Sequence, residues 1–208
     1  MSTQSHAELR RVVLDPALGP AERARRVAAI LDACPVAERI AALRSLGGVR
    51  CQRRLWEAAA ANPPVTTDDL VPKTNPPMRP VVFHGRNSLP AFSDFRKICC
   101  RPPEGTAGNV LWGYNDTSIR SVIGPGYYVV HDTPGTSLGA SAFDYTQVPS
   151  SHPAGWPDIR GNEVGLSRFI YNKTVDYMRR VATDVFIGSA TRGGKELGSY
   201  FLLVRELA

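Results

Sequence analysis

The chain lacks several patterns by which common protein classes are recognised. Its apolar runs, such as residues 127–130 and 201–204, fall well short of the roughly 20 residues that a membrane-spanning helix needs. The N-terminal residues have no apolar stretch behind their charges, which argues against a secretory signal. The kinase motifs, a dinucleotide fingerprint and an RNA-recognition motif are all missing. We therefore expect a cytoplasmic protein that does not contact membranes.

Cysteine and histidine are few and scattered. The four cysteines form no Cys-x-x-Cys pair, and the adjacent Cys99 and Cys100 are poorly placed for a bridge to each other. The four histidines form neither a His-x-His pair nor a pair four residues apart on a predicted helix. We predict reduced cysteines that act as small apolar residues, and we predict neither a metal nor a cofactor.

Lysine is scarce, whereas arginine is spread along the whole chain. The formal net charge is +6 and the pI about 9.4, with lysine at four positions: Lys73, Lys97, Lys173 and Lys195. This usage is typical of proteins from GC-rich bacterial genomes, in which arginine often stands in place of lysine. Because the charge is not gathered in a tail, we do not expect nucleic acid to be the main partner.

The first third of the chain predicts helices followed by a linker. In residues 1–61, the segments 20–33, 35–48 and 50–61 carry apolar side chains at helical spacing, with prolines near the start of the first two. Residues 62–80 contain six prolines, and this density predicts an extended, semi-rigid linker.

Residues 81–208 predict an antiparallel β domain, because short strand candidates alternate with turns rich in glycine and proline. A hairpin is expected around Gly193 and Gly194. The same stretch fails as a phosphate loop, because Glu196 follows Lys195 where a serine or threonine is needed. Within this domain, apolar spacing predicts helices over residues 88–98 and 174–181, and strands over residues 119–123 and 166–171.

The end of the chain resembles the closing hairpin of lipocalin-like (calycin) β-barrels. The resemblance lies in residues 176–181, in Phe186-Ile187-Gly188-Ser189-Ala190, in the glycine turn and in the aromatic last strand at residues 200–203. The Gly-x-Trp signature of that family is missing, and Leu111-Trp112-Gly113 resembles it only loosely. The resemblance implies an α+β chain in which a small antiparallel β-barrel with a hydrophobic interior follows the helical region. It transfers no catalytic residue.

Polar candidates for a site gather on the strands between Tyr127 and Tyr145. His131 ends the clearest strand, and Asp144 stands between Phe143 and Tyr145. If both aromatics face inward, Asp144 faces outward; in the other register it points inside and needs an arginine partner. We predict His131 and Asp144 as candidate catalytic residues. The candidate ligand-binding residues are Tyr127, Tyr145, Arg168, Tyr171 and His84.

Three functions are compatible with these features. The tyrosine-rich strands favour a barrel that binds a small hydrophobic or aromatic molecule, because tyrosine combines an apolar body with a polar tip. A metal-independent isomerase or cyclase would use the same pocket, with His131 or Asp144 as acid or base. A protein- or nucleic-acid-interaction module would use the basic helical region. The oligomeric state stays open at this level.

Overall fold

The computed structural model describes residues 3–89 and 93–206 and contains a closed, eight-stranded antiparallel β-barrel. Each strand pairs with the next along the chain, and β8 pairs back with β1, so the barrel has no open edge. The strands are β1 (Val81–Asn87), β2 (Asp94–Cys100), β3 (Val110–Asp116), β4 (Tyr128–Asp132), β5 (Ser141–Asp144), β6 (Thr174–Ala182), β7 (Val185–Arg192) and β8 (Lys195–Arg205). The predicted α+β class with a small antiparallel barrel is confirmed.

Alternate residues along the strands belong to apolar clusters inside and outside the barrel, as the period of two along a strand requires. The inner core fills one end of the barrel and includes Phe83, Leu111 and Phe143. The outer core lies on the opposite face of β7 and β8, where Ile187 and Leu202 are fully buried.

The N-terminal helices cover this outer face. They are α1 (Thr3–Leu14), α2 (Pro20–Asp32), α3 (Val36–Ala42) and α4 (Val49–Ala59). Each short amphipathic helix needs a partner surface, and the outer face of the barrel provides it. Leu31 and Leu55, for example, are buried in the outer core. Polar contacts hold the same interface, since Arg39 Nη1 donates to the Thr183 carbonyl at 2.6 Å.

Residues 62–80 pack against one end of the barrel. Within them, residues 65–71 form what we call the plug, which contains the short helix α5 (Thr67–Leu70). Thr66 and Asp69 form a reciprocal capping box that fixes the start of α5. The plug inserts three fully buried apolar side chains into the inner core, namely Val65, Leu70 and Val71.

Charged side chains at the strand ends anchor the plug. Asp132, at the end of β4, accepts a hydrogen bond from the Thr67 backbone N–H at 2.7 Å. Arg205, at the end of β8, donates to the carbonyls of Asp69 and Leu70. Arg101, directly after β2, donates to Asp68 at 2.7 Å. The plug therefore closes the end of the barrel at which β2, β4 and β8 finish.

Four local predictions differ from the structure. Residues 174–181 lie in the strand β6 rather than in a helix, because β5 and β7 pair with them on both sides. Short helices α6 (Arg120–Ile123) and α7 (Ser167–Ile170) replace two predicted strands. The helix predicted over 88–98 is wrong where β2 begins at Asp94, and its residues 90–92 lie outside the described part. The conformation of each segment depends on whether distant strands pair with it. The spacing of apolar residues within the segment does not reveal such pairing.

The predicted hairpin at the end of the chain is present. β7 and β8 pair directly across Gly193 and Gly194, whose φ angles of 56° and 79° lie in the left-handed region that glycine tolerates. Among the residues that the structure describes, no helix has the length and apolar character needed to cross a membrane.

Candidate ligand site in the open end of the barrel

A pocket of about 500 Å³ occupies the end of the barrel opposite the plug. Its rim is apolar and contains large side chains that are between 41% and 61% exposed: Leu89, Phe169, Ile170 and Leu197. Its polar lining includes Lys97, Asn115, Tyr145 and Asp176. An eight-stranded barrel is just wide enough to hold one small ligand, so the open half of this interior has the size of a small-molecule site.

Lys97 is the most unusual residue of this pocket, because its side chain is only 2% exposed. It points inward from β2, and its Nζ donates to Asn115 Oδ1 at 3.1 Å and also hydrogen-bonds the Tyr145 hydroxyl. Asp176 Oδ2, on β6, lies 3.4 Å from the same nitrogen. Asn115 is itself oriented, since its Nδ2 donates to the Gly126 carbonyl at 3.0 Å. The four side chains form a connected polar group, which we call the Lys97 cluster.

Aromatic rings surround the amine of Lys97. Its Nζ lies between 4.7 and 5.9 Å from the centroids of five rings, those of Phe95, Tyr128, Phe143, Tyr145 and Phe201. A cation is attracted to the face of an aromatic ring, but the rings also exclude water from the nitrogen.

Three glycines on the strands make room for this ring of aromatics. A Cβ at Gly85 would lie 2.5 Å from the Phe95 ring, one at Gly113 would lie 2.5 Å from the Tyr128 ring, and one at Gly188 would lie 2.1 Å from the Phe201 ring. All three distances are too short for a real Cβ atom. The glycines therefore allow a close approach that any other residue would block.

Burial sets the electrostatics of the Lys97 cluster. It lowers the pKa of the Lys97 amine, an effect that the Asp176 carboxylate only partly offsets. It raises the pKa of the Asp176 carboxyl, against the opposing effect of Lys97. It also raises the pKa of the Tyr145 hydroxyl well above its usual value. All three groups are shifted toward their uncharged forms, in which each can both donate and accept a hydrogen bond.

Two of the predicted ligand-binding residues, Tyr145 and Tyr171, come together in this pocket. Their rings stack at a centroid distance of 5.2 Å and an interplanar angle of 16°. The backbone carbonyl of Tyr145 accepts a hydrogen bond from Asn162 Nδ2 at 2.8 Å, which holds the tyrosine in place. Tyr171 directly follows α7, so this short helix carries one wall of the pocket.

The two predicted catalytic residues do not line this pocket. His131 takes an outward-facing position on β4, near the plugged end of the barrel. Asp144 also faces outward, in the first of the two registers considered above, with Phe143 inside. Its carboxylate accepts hydrogen bonds from Thr146 and Gln147 and thereby fixes the turn after β5.

The remaining predicted residues lie elsewhere on the outer surface or the rim. Tyr127 packs outside the barrel with Trp156, and its hydroxyl donates to the Pro157 carbonyl. His84 Nε2 lies 2.9 Å from Glu206 Oε2 on the outer face of β1. Arg168 is exposed on α7, over the ring of Phe169 at 4.7 Å.

Sequence reasoning missed Lys97, Asn115 and Asp176 as site residues. Lys97 lies within the segment predicted as a helix, and so does Asp176, so neither was assigned an inward strand position. The available signal was the alternation of Phe95, Lys97 and Cys99, which share one face if the segment is a strand.

Comparisons of the chain with known protein families, with curated proteins and with solved structures found no match. The case for a function therefore depends on the geometry of the pocket.

Proposed function

We propose that the protein binds a small, largely apolar molecule in the open end of its barrel. The observation that carries this proposal is the pocket of about 500 Å³, which has an apolar rim and the Lys97 cluster among its lining groups. Concave sites with mostly apolar walls and a few convergent polar groups are typical of small-molecule binding. The plug supports the same proposal, because its buried side chains fill the end of the barrel opposite the pocket.

The polar cluster indicates the kind of ligand. Lys97 and Tyr145 offer hydrogen-bond donors, and Asp176 offers an acceptor, within one small region. A ligand with a hydroxyl or carbonyl group on an aromatic or aliphatic body satisfies such a site without carrying a full charge into it. We infer a neutral, partly polar ligand rather than a strongly ionic one.

The closer classification of the protein is also a proposal. The resemblance of the last hairpin, together with the sequential order of eight antiparallel strands, supports a lipocalin-like barrel. The four free cysteines, of which three are buried, support a cytoplasmic location. The arginine-rich composition supports a bacterial source.

Blocking the pocket tests the binding proposal. Ala190 lines the pocket on β7, so Ala190→Phe should fill it, whereas Ala41→Phe makes the same change at an exposed site on α3. β-Naphthol, titrated by its own fluorescence, should bind the wild-type protein and the Ala41 variant but not the Ala190 variant. Equal binding by all three proteins, or binding by none of a broad panel of apolar compounds, would contradict the proposal.

A second candidate function is a metal-independent isomerase or cyclase acting in the same pocket. The observation in its favour is the Lys97 cluster, in which burial raises the pKa of Asp176 and makes its carboxylate a stronger base. A base of that kind, beside the Tyr145 hydroxyl, suits removal of a proton next to a carbonyl group. In this version, Asp176 and Tyr145 take the catalytic roles that the sequence analysis assigned to His131 and Asp144.

Proton exchange tests the enzymatic alternative without knowledge of the natural substrate. The wild-type protein should speed deuterium incorporation from heavy water into β-tetralone, as followed by NMR. Asp176→Asn should lose this activity, whereas Asp158→Asn, a matched change at an exposed carboxylate, should keep it. A wild-type rate equal to that of buffer alone would remove this candidate.

The third hypothesis, an interaction module on the helical region, stays a prediction. A cleft between α2 and α4 is lined by several basic side chains, among them Arg50, Arg53 and Arg54. Binding of an anionic partner there should weaken steeply as salt is raised, and salt-independent binding would argue against phosphate contacts.

A further inference from the structure

Lys97 stands apart from the other lysines of the chain. Its side chain is enclosed by rings and is 2% exposed, yet it is among the groups that line the pocket. Lys73, Lys173 and Lys195 are all exposed. The fold therefore presents a single, desolvated primary amine to whatever enters the open end of the barrel.

Desolvation makes this amine more nucleophilic at neutral pH. An amine attacks carbon only in its uncharged form, and burial lowers the pKa of Lys97 and so raises the uncharged fraction. The same device, a lysine in an apolar pocket, is a general way to activate an amine for imine formation.

The neighbours of Lys97 supply the proton transfers that such a reaction needs. The Tyr145 hydroxyl hydrogen-bonds the amine, and Asp176 lies 3.4 Å from it, with a carboxyl pKa that burial raises. A carboxyl that titrates nearer to neutral pH serves both as acid and as base. Asn115 holds the amine from another side through its Oδ1, at 3.1 Å.

We propose that Lys97 forms an imine with the carbonyl group of an apolar aldehyde or ketone bound in the pocket. The Nζ lone pair attacks the carbonyl carbon, and a proton moves from nitrogen to oxygen to give a carbinolamine. Asp176 then donates a proton to the departing hydroxyl group, so that water leaves and the carbon–nitrogen double bond forms. No oxidant or reductant is consumed, and hydrolysis reverses the sequence.

The rest of the pocket suits such a ligand. Phe169, Ile170 and Leu197 at the rim would cover an apolar body, while the carbonyl end reaches the Lys97 cluster. Closure by an apolar body keeps water from the imine and slows its hydrolysis. This inference rests on the proposed binding function and adds to it the chemical class of the ligand and a covalent link.

Reductive trapping tests the proposal on the wild-type protein. Naphthaldehyde is added with sodium cyanoborohydride at neutral pH, and the protein is analysed by intact mass and by peptide mapping. We expect one added naphthylmethyl group, located on Lys97. Labelling of Lys97 should exceed that of each exposed lysine by about tenfold or more, because each unit by which a pKa falls raises the free-amine fraction about tenfold.

The pH profile and two variants separate a reactive lysine from a merely structural one. Labelling of Lys97 should reach half its maximum at a lower pH than labelling of Lys195 does, in the same sample. Lys97→Arg keeps the positive charge but forms no imine, so it should lose the preferred adduct. Tyr145→Phe should slow the adduct without moving it to another lysine.

The outcome is decisive even if a variant fails to fold, because the peptide map is made on the unchanged chain. Labelling spread evenly over the four lysines, or absent from Lys97, would overturn the proposal. β-Naphthol, which shares the ring system but has no carbonyl group, separates the two claims. If it binds while naphthaldehyde leaves no adduct on Lys97, the binding function stands and the covalent link is wrong.

Discussion

Lys97 and Asp176 lie 3.4 Å apart inside the barrel, and the loss of one partner should cost more than the loss of both. Lys97→Met leaves the Asp176 carboxyl without its partner, and breaking a buried pair in this way costs about 3–5 kcal/mol. The double variant Lys97→Met with Asp176→Asn removes both charges and should recover most of that loss. Urea unfolding at neutral pH measures the free energies of unfolding. A double variant as unstable as the single one would contradict the pairing.

The pH dependence of the stability of these variants independently tests whether the carboxyl pKa of Asp176 is raised. Its carboxyl has a pKa near 3.8 in the unfolded chain, and burial raises that value in the folded protein. Between the two values the folded state binds more protons, so the free energy of unfolding falls as the pH rises through that range. In the wild type, Lys97 opposes this trend, because its lowered pKa makes stability rise with pH.

We therefore expect Lys97→Met to lose stability as the pH rises above the unfolded-state carboxyl pKa of 3.8 toward neutral pH. The double variant should lose less over that range, because it has no carboxyl at this position. Thermal unfolding across a series of buffers measures both. A Lys97→Met variant that gains stability over the same range would contradict a raised pKa at Asp176.

Gly188 is a second residue whose replacement has a predicted cost. A Cβ there would lie 2.1 Å from the Phe201 ring, so Gly188→Ala must displace that ring and should cost about 1–3 kcal/mol. Gly47 directly follows the short 3₁₀ helix Leu43–Leu46 and has a φ of −68°, and a Cβ there would lie 3.5 Å or more from its neighbours. Gly47→Ala should thus be neutral or slightly stabilising. Equal losses in urea unfolding would argue against the close approach of Phe201.

At the scale of elements, the plug is expected to be part of the barrel core rather than a free connection. Leu70 is fully buried in the inner core, so Leu70→Ala should cost about 2–5 kcal/mol. Leu197→Ala makes the same change at the pocket rim, where Leu197 is 45% exposed, and should change stability by less than about 0.5 kcal/mol. Chemical denaturation of the two variants provides the comparison. A Leu70 variant as stable as the wild type would show that the plug does not seal the barrel.

The elements also show how far the sequence could predict this fold. The hairpin at Gly193 and Gly194 was predictable because turn chemistry is local. The strand β6 was not, because Val175, Met178 and Val181 also fit a helix, and pairing with β5 and β7 decides between the two. The error on β6 hid Asp176, and the error on β2 hid Lys97.

The candidate site was partly predictable for a related reason. Tyr145 and Tyr171 were found through their residue type, since tyrosine suits a partly polar pocket. The inward face of each strand depends on its register, and register depends on partners far along the chain. A signal was present in the glycines within strand segments, Gly85, Gly113 and Gly188, which mark places where rings approach the backbone closely.

At the scale of the whole molecule, the two ends of the barrel differ. The plug and the inner core fill one end, whereas the other end holds a pocket with an apolar rim and the Lys97 cluster within it. The helices α1 to α4 support the outer face of β6 to β8 and so hold the strands that carry Asp176 and Phe201. This division of one barrel into a packed half and an open half is the structural basis of the proposed binding function.

A crystal structure of the protein with β-naphthol is the most direct test of this account. The account predicts one ring system in the open end of the barrel, in contact with Phe169 and Leu197, with its hydroxyl group hydrogen-bonded to the Lys97 cluster. β-Naphthol bound only in the arginine-lined cleft between α2 and α4, or a barrel that stays empty at saturating concentration, would contradict it.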